Sequence, residues 1–109
     1  MKKIKTLIVT TLLSVSNAYA GPDFVSGTVS DISSVKEGLL IRVSDINGNQ
    51  VIADNCTGTT YGWILIEKVD TTMISVVLTM WATGSKQATV YTDQITSGYC
   101  KITQVNPVN

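Results

Sequence analysis

Cys56 and Cys100 are the only cysteines in this chain of 109 residues, and 44 positions separate them. If they pair, the middle of the chain is tied to its end, and every candidate fold must bring the loop at Cys56 beside the last segment. In the chain-entropy description, closing that loop is worth about 4 kcal/mol. A small domain rests on roughly 5 to 10 kcal/mol in all. A redox or metal-binding pair would call for C-x-x-C spacing or nearby histidines, and the chain has neither. One structural disulfide between Cys56 and Cys100 is therefore expected.

A disulfide needs an oxidising compartment, and the start of the chain supplies the route to one. MKKIKTLIVTTLLSVSNAYA places three lysines, then an apolar stretch from Leu7 to Val15, then Ala18-Tyr19-Ala20. This is the order of a secretory signal peptide with an A-x-A cleavage site. Cleavage after Ala20 divides the chain into a leader, 1–20, and a single domain, 21–109. The short, lysine-led leader has a bacterial look and points to the periplasm or the exterior of a Gram-negative cell. The apolar stretch is interrupted by Thr10, Thr11 and Ser14 and is shorter than the about 20 residues of a spanning helix. No membrane span is expected after cleavage, and no cysteine follows Ala20 for lipid attachment.

Without Lys2, Lys3 and Lys5 the domain keeps Lys36, Arg42, Lys68, Lys86 and Lys101 against eight acidic residues, a net charge near −3. That balance lacks the basic footprint of a nucleic-acid binder. The absence of histidine removes Ser-His-Asp and Cys-His catalysis and the usual neutral-pH base. The carboxylates are scattered, most of them at turns where Asp is common. Little chain remains to build a cleft holding two of them roughly 5 to 10 Å apart. Asp45 and Asn47 share the opening spacing of a calcium loop, but no glutamate follows at the twelfth position. No enzyme activity, metal or cofactor is expected.

The patterning is mainly β. Phe24 to Val35 alternates through Val25, Gly27 and Val29 and predicts a first strand with a glycine bend or bulge. Leu39, Ile41 and Val43 predict a second strand, Leu39 to Ile46. Asn47-Gly48 follows as a type I′ hairpin turn, so Gln50 to Asn55 is expected to pair antiparallel with it. Trp63-Ile64-Leu65-Ile66 marks a short buried strand or an extended lead-in. Gln87 to Thr92 and Tyr99 to Val105 form a final pair around Ser97-Gly98, and Asn106 to Asn109 is expected to fray.

Between these groups, Asp70-Thr71-Thr72 offers helix N-cap chemistry and Gly84 offers the C′ position. The apolar residues of the span cover most of a helix circumference, interrupted only by a narrow stripe of Thr72, Ser75, Thr79 and Thr83. Alternation through Ile74, Val76, Leu78 and Met80 also allows a long strand; length and the flanking caps favour the helix. A helix greasy on nearly every side needs cover from the barrel and from a neighbour, with Met73, Val76, Val77 and Met80 as the candidate oligomer interface. The element order suggests an α+β domain, mainly β with one helix: an OB-fold-like small antiparallel barrel with the helix between the early strands and the last two.

The stretch TTMISVVLTMWATGSKQATVYT resembles the helix and following strand in B subunits of AB5 toxins, particularly the subtilase-cytotoxin and pertussis-like group. Trp-x-Thr-Gly, Val-Tyr-Thr and Gly-Tyr-Cys also resemble a set of small exported proteins of Gram-negative bacteria, over roughly Cys56 to Pro107. The toxin resemblance covers only the helix and next strand, and implies an OB-like fold, assembly into a homo-oligomeric ring and recognition of a glycan or cell-surface receptor. No sugar-binding residue is transferred by it.

Among the aromatics, Trp81 and Trp63 read as core. Tyr61 and Tyr99 lie near the two cysteines and beside glycines, so a disulfide would bring them to one rim. Packing on the disulfide explains them; the same rim is also where a ligand would first be sought, through Tyr61 and Tyr99, with Thr57, Thr59 and Thr60 as hydrogen-bonding neighbours. The leading expectation is a non-catalytic binding module of the B-subunit type. The alternative is a periplasmic structural or accessory protein that binds another protein through the apolar helix.

Overall fold

The computed structural model describes residues 18–96 and 98–108. The chain forms β1 (Tyr19–Ala20), β2 (Phe24–Val35), β3 (Gly38–Ser44), two 3-10 turns (Asp54–Cys56 and Thr60–Gly62), β4 (Ile64–Glu67), α1 (Thr71–Thr83), β5 (Gln87–Thr96) and β6 (Tyr99–Pro107). The strands lie in the order β1-β2-β3-β4-β6-β5, and β2 also pairs with β5, which closes β2 to β6 into a ring. The fold is a small α+β barrel with its single helix between the early strands and the last pair. One pairing departs from the expected antiparallel barrel: β4 runs parallel to β6, because the two are joined through α1 and β5, and β6 runs antiparallel to β5.

Alternation sets which side chains fill the barrel. Leu39, Ile41 and Val43 of β3 meet Ile64 and Ile66 of β4 in the core, with Val25, Val29, Val90 and Ile102. The irregularity in β2 falls at Ser30, between Val29 and Asp31, and not at Gly27. The extra residue restores Ile32 to the core side and turns Asp31 outward opposite Arg42. A second shift, between Ile102 and Gln104, reverses the alternation of β6, so Val105 packs on the core while Gln104 is exposed.

Three expected elements are corrected. Gln50 makes a single bridge to Ser44, and 51–53 forms no strand. The turn explains this: Gly48 N–H donates to Asp45 O at 3.0 Å with Gly48 at φ 83°, while Asn47 has negative φ. Asp45 Oδ1 accepts from the N–H groups of both Asn47 and Asn49 at 2.9 Å. This is a type I turn closed by a left-handed glycine, not a type I′ turn. The chain then leaves β3 and bonds elsewhere, Asp54 N–H to Gly21 O and Asn55 N–H to Pro22 O. At the C-terminus Asn106 and Pro107 do not fray; they pair with Thr89 and Ala88.

The third correction concerns α1, which coils as expected but is not greasy on nearly every side. Val77 and Met80 are buried in the barrel core, and Met73, Ile74, Val76 and Trp81 pack partly against it. The outward face is Thr71, Thr72, Ser75, Leu78, Thr79, Ala82 and Thr83, which makes an ordinary one-sided helix. Gly84 closes it as expected, its N–H donating to Met80 O with φ 82°, while Asp70 stands at the N-cap without a side-chain capping bond.

Met1 to Asn17 of the expected leader lie outside the described residues. Tyr19 and Ala20 add β1 to the edge of β2, opposite Ser26 and Val25. None of the strands that close the ring includes them, so cleavage after Ala20 would leave the barrel intact. No helix of the described residues is long and apolar enough to cross a membrane.

Candidate functional site

Cys56 and Cys100 form the expected disulfide, with Cα atoms 5.4 Å apart. It joins the first 3-10 turn to the start of β6, and a set of hydrogen bonds continues from it. Asn55 Nδ2 donates to Thr92 O at 3.2 Å, and Thr92 Oγ1 donates to Asn55 Oδ1 at 2.8 Å. Thr59 Oγ1 donates to Trp63 O at 2.7 Å and accepts from Cys100 N–H at 2.9 Å. Thr60 donates twice to Gly98 O, from its N–H at 3.0 Å and its hydroxyl at 2.8 Å. The segment from Cys56 to Trp63 is thus tied to β6 at Cys56 and Thr59, and at Thr60 to Gly98 just before β6.

This fixed loop presents Tyr61. Its side chain is 81% exposed, and its backbone sits at φ 50°, ψ 25°. Tyr61 is the one non-glycine residue with positive φ among the described residues. The left-handed region costs an L-residue about 1 to 2 kcal/mol relative to the right-handed one. A large aromatic ring is therefore held in water at a conformational cost, which is the reverse of what packing on the disulfide would produce. Such strain concentrates at functional sites. Beside it the Gln50 side chain lies directly over Gly62, in the space a Cβ would occupy.

The other expected ligand residues divide. Thr57 and Thr60 are exposed and Tyr99 is half-buried. Thr59 is a correction: it is 7% exposed with its hydroxyl engaged inside the protein, so it braces the loop and does not face a ligand. The proposed interface residues are corrected in the same way. Val77 and Met80 are interior residues of the protomer, and only Met73 and Val76 retain partial exposure.

No protein-family model, curated protein or solved structure matches this chain. The geometry therefore stands alone.

Next to the Tyr61 loop, the outer face of the sheet carries a row that sequence reading missed. Asp31 Oδ2 is 3.1 Å from Arg42 Nη2, and the Arg42 guanidinium lies 4.2 Å from the centroid of the Trp63 ring. Trp63 and Tyr99 immediately precede the paired Ile64 and Cys100, so the row runs from β2 and β3 to Trp63 at the entry to β4, with Tyr99 next in register at the start of β6. Trp63 is half-buried under Arg42 on this outer face, not inside the core. The one available signal was Arg42 itself, a lone cation on the polar side of an alternating strand.

An open groove of about 400 Å³ runs between α1 and the end of β6, with Val76, Met80, Pro107 and Val108 among its lining residues. Thr79 Oγ1 donates to Ser75 O at 2.8 Å and Thr83 Oγ1 to Thr79 O at 2.9 Å. Their hydroxyl protons are thus satisfied within the helix.

Proposed function

We propose that this chain is an exported, non-catalytic binding module that recognises a carbohydrate on the rim formed by Tyr61, Thr57, Thr60 and Tyr99. The exposed, left-handed Tyr61 on a loop braced by the disulfide is the observation that carries this reading. A saccharide ring stacks its C–H face on an aromatic ring, and a pre-ordered platform spares the ordering cost of binding. Thr57 and the Gln50 amide offer polar partners for hydroxyl groups nearby. Export belongs to the same proposal and rests on the lysine-led leader and the disulfide.

Glycan-array binding tests it. The wild-type protein is expected to bind a restricted set of glycans, and Tyr61→Ala to weaken that binding by on the order of a hundredfold or more, as loss of a central aromatic anchor does. Tyr99→Ala should produce a smaller loss. Silence across the array, or binding indifferent to Tyr61→Ala, would contradict the reading.

A second reading, self-association through the outward face of α1, is favoured by Leu78, 44% exposed on a helix without a charged side chain. A second copy presenting the same uncharged face would meet no electrostatic opposition there. The wild-type protein should then scatter light as a multiple of the protomer mass at high micromolar concentration, and Leu78→Asp as a single protomer. A wild-type protein that stays monomeric removes this reading and leaves the Tyr61 rim untouched.

A further inference from the structure

The described cationic side chains are all placed away from the Tyr61 loop or already neutralised. Arg42 is paired with Asp31 and held against Trp63. Lys101 Nζ donates to Glu67 Oε2 at 2.9 Å, and Lys86 Nζ lies 3.9 Å from the Trp81 ring centroid at the end of α1. Lys36 and Lys68 stand beside Glu37 and Glu67 at the opposite end of β4. Five residues of extended chain from Trp63 to Lys68 span roughly 16 Å, beyond a screening length of about 8 Å at physiological salt.

Carboxylates, by contrast, flank the disulfide that braces the loop. Asp54 and Asp93 are exposed, and each adjoins one partner of the Asn55–Thr92 hydrogen bonds that hold the disulfide turn to β5. An acidic group brought to this rim meets like charge and finds Arg42 occupied by Asp31. A neutral hydroxylated ring meets no such opposition, and the polar groups available to it are uncharged: Thr57, Gln50 and the phenol of Tyr61. Discrimination of this kind comes from repulsion of the wrong ligand as much as from attraction of the right one.

We propose that the Tyr61 rim selects neutral saccharides and rejects their carboxylated or sulfated counterparts. The proposal rests on the carbohydrate reading of that rim and adds the chemical class of its ligand. The test uses immobilised pairs of glycans that differ by one terminal carboxylate or sulfate, probed with the disulfide-bonded protein and with Tyr61→Ala at about 50 and 500 mM NaCl. The expected result is Tyr61-dependent binding to the neutral member, about tenfold or more weaker binding to the acidic one, and no loss of neutral binding at high salt. Tyr61-dependent binding that prefers the acidic member and fades with salt overturns the selectivity while the carbohydrate reading stands. Binding to neither member, or binding that Tyr61→Ala leaves unchanged, overturns both.

Discussion

Replacing Cys56 and Cys100 together by serine is expected to lower the unfolding free energy by about 4 kcal/mol and the melting temperature by about 20 °C. The bond closes a loop of 44 residues that contains α1 and β4, so its removal frees a large part of the unfolded chain. It also joins the start of the segment carrying Thr59 and Thr60 to Cys100, beside Gly98 and the Cys100 N–H to which those threonines bond. Loss of the link should loosen the Tyr61 loop first, and ligand binding should fall in reducing buffer before the barrel melts. Denaturant unfolding of oxidised, reduced and serine-substituted protein checks this. A difference below about 1 kcal/mol would mean that Thr59, Thr60 and Asn55 hold the loop without the bond.

The second large effect separates two neighbours on α1. Val77 is fully buried against the barrel, whereas Leu78 is 44% exposed. Val77→Asp places an unpaired carboxylate in the core, and the domain is expected to lose about 4 kcal/mol or more and to populate the unfolded state at 25 °C. Leu78→Asp is expected to change protomer stability by no more than about 0.5 kcal/mol, which is why it serves as the probe of self-association. Urea titrations followed by tryptophan fluorescence compare the two. Equal losses would mean that α1 sits on the barrel in a different rotation.

Much of this fold was legible because local pattern and tertiary role agree. The alternation of β2 and β3, the Gly84 cap and the apolar run of β4 each point to the element that forms. The failures have physical causes. Asn47-Gly48 looks like a two-residue hairpin, but Asp45 captures the N–H groups of Asn47 and Asn49, and after Val51, which still bonds to Val43 of β3, the chain turns to Gly21 and Pro22. The circumference of α1 misleads because Thr, Ser and Ala carry most of its outward face without charge. At the site, proximity of Tyr61 and Tyr99 to the cysteines was readable, but burial was not. Thr59 lies in the same run as Thr57 and Thr60, and only the three-dimensional course of the loop turns its hydroxyl toward Trp63 and Cys100. The backbone angle of Tyr61 leaves no trace in composition, since nothing in Thr-Tyr-Gly requires the tyrosine itself to be left-handed.

Tyr61→Gly separates architecture from recognition at this residue, because glycine takes the left-handed conformation freely while the ring is lost. Denaturant unfolding and glycan binding measured on the same preparation should move in opposite directions: unfolding free energy higher by about 0.5 to 1 kcal/mol, and binding abolished. A variant that is less stable than the wild type, or that still binds, would show that the Tyr61 ring serves packing and is not displayed for a ligand.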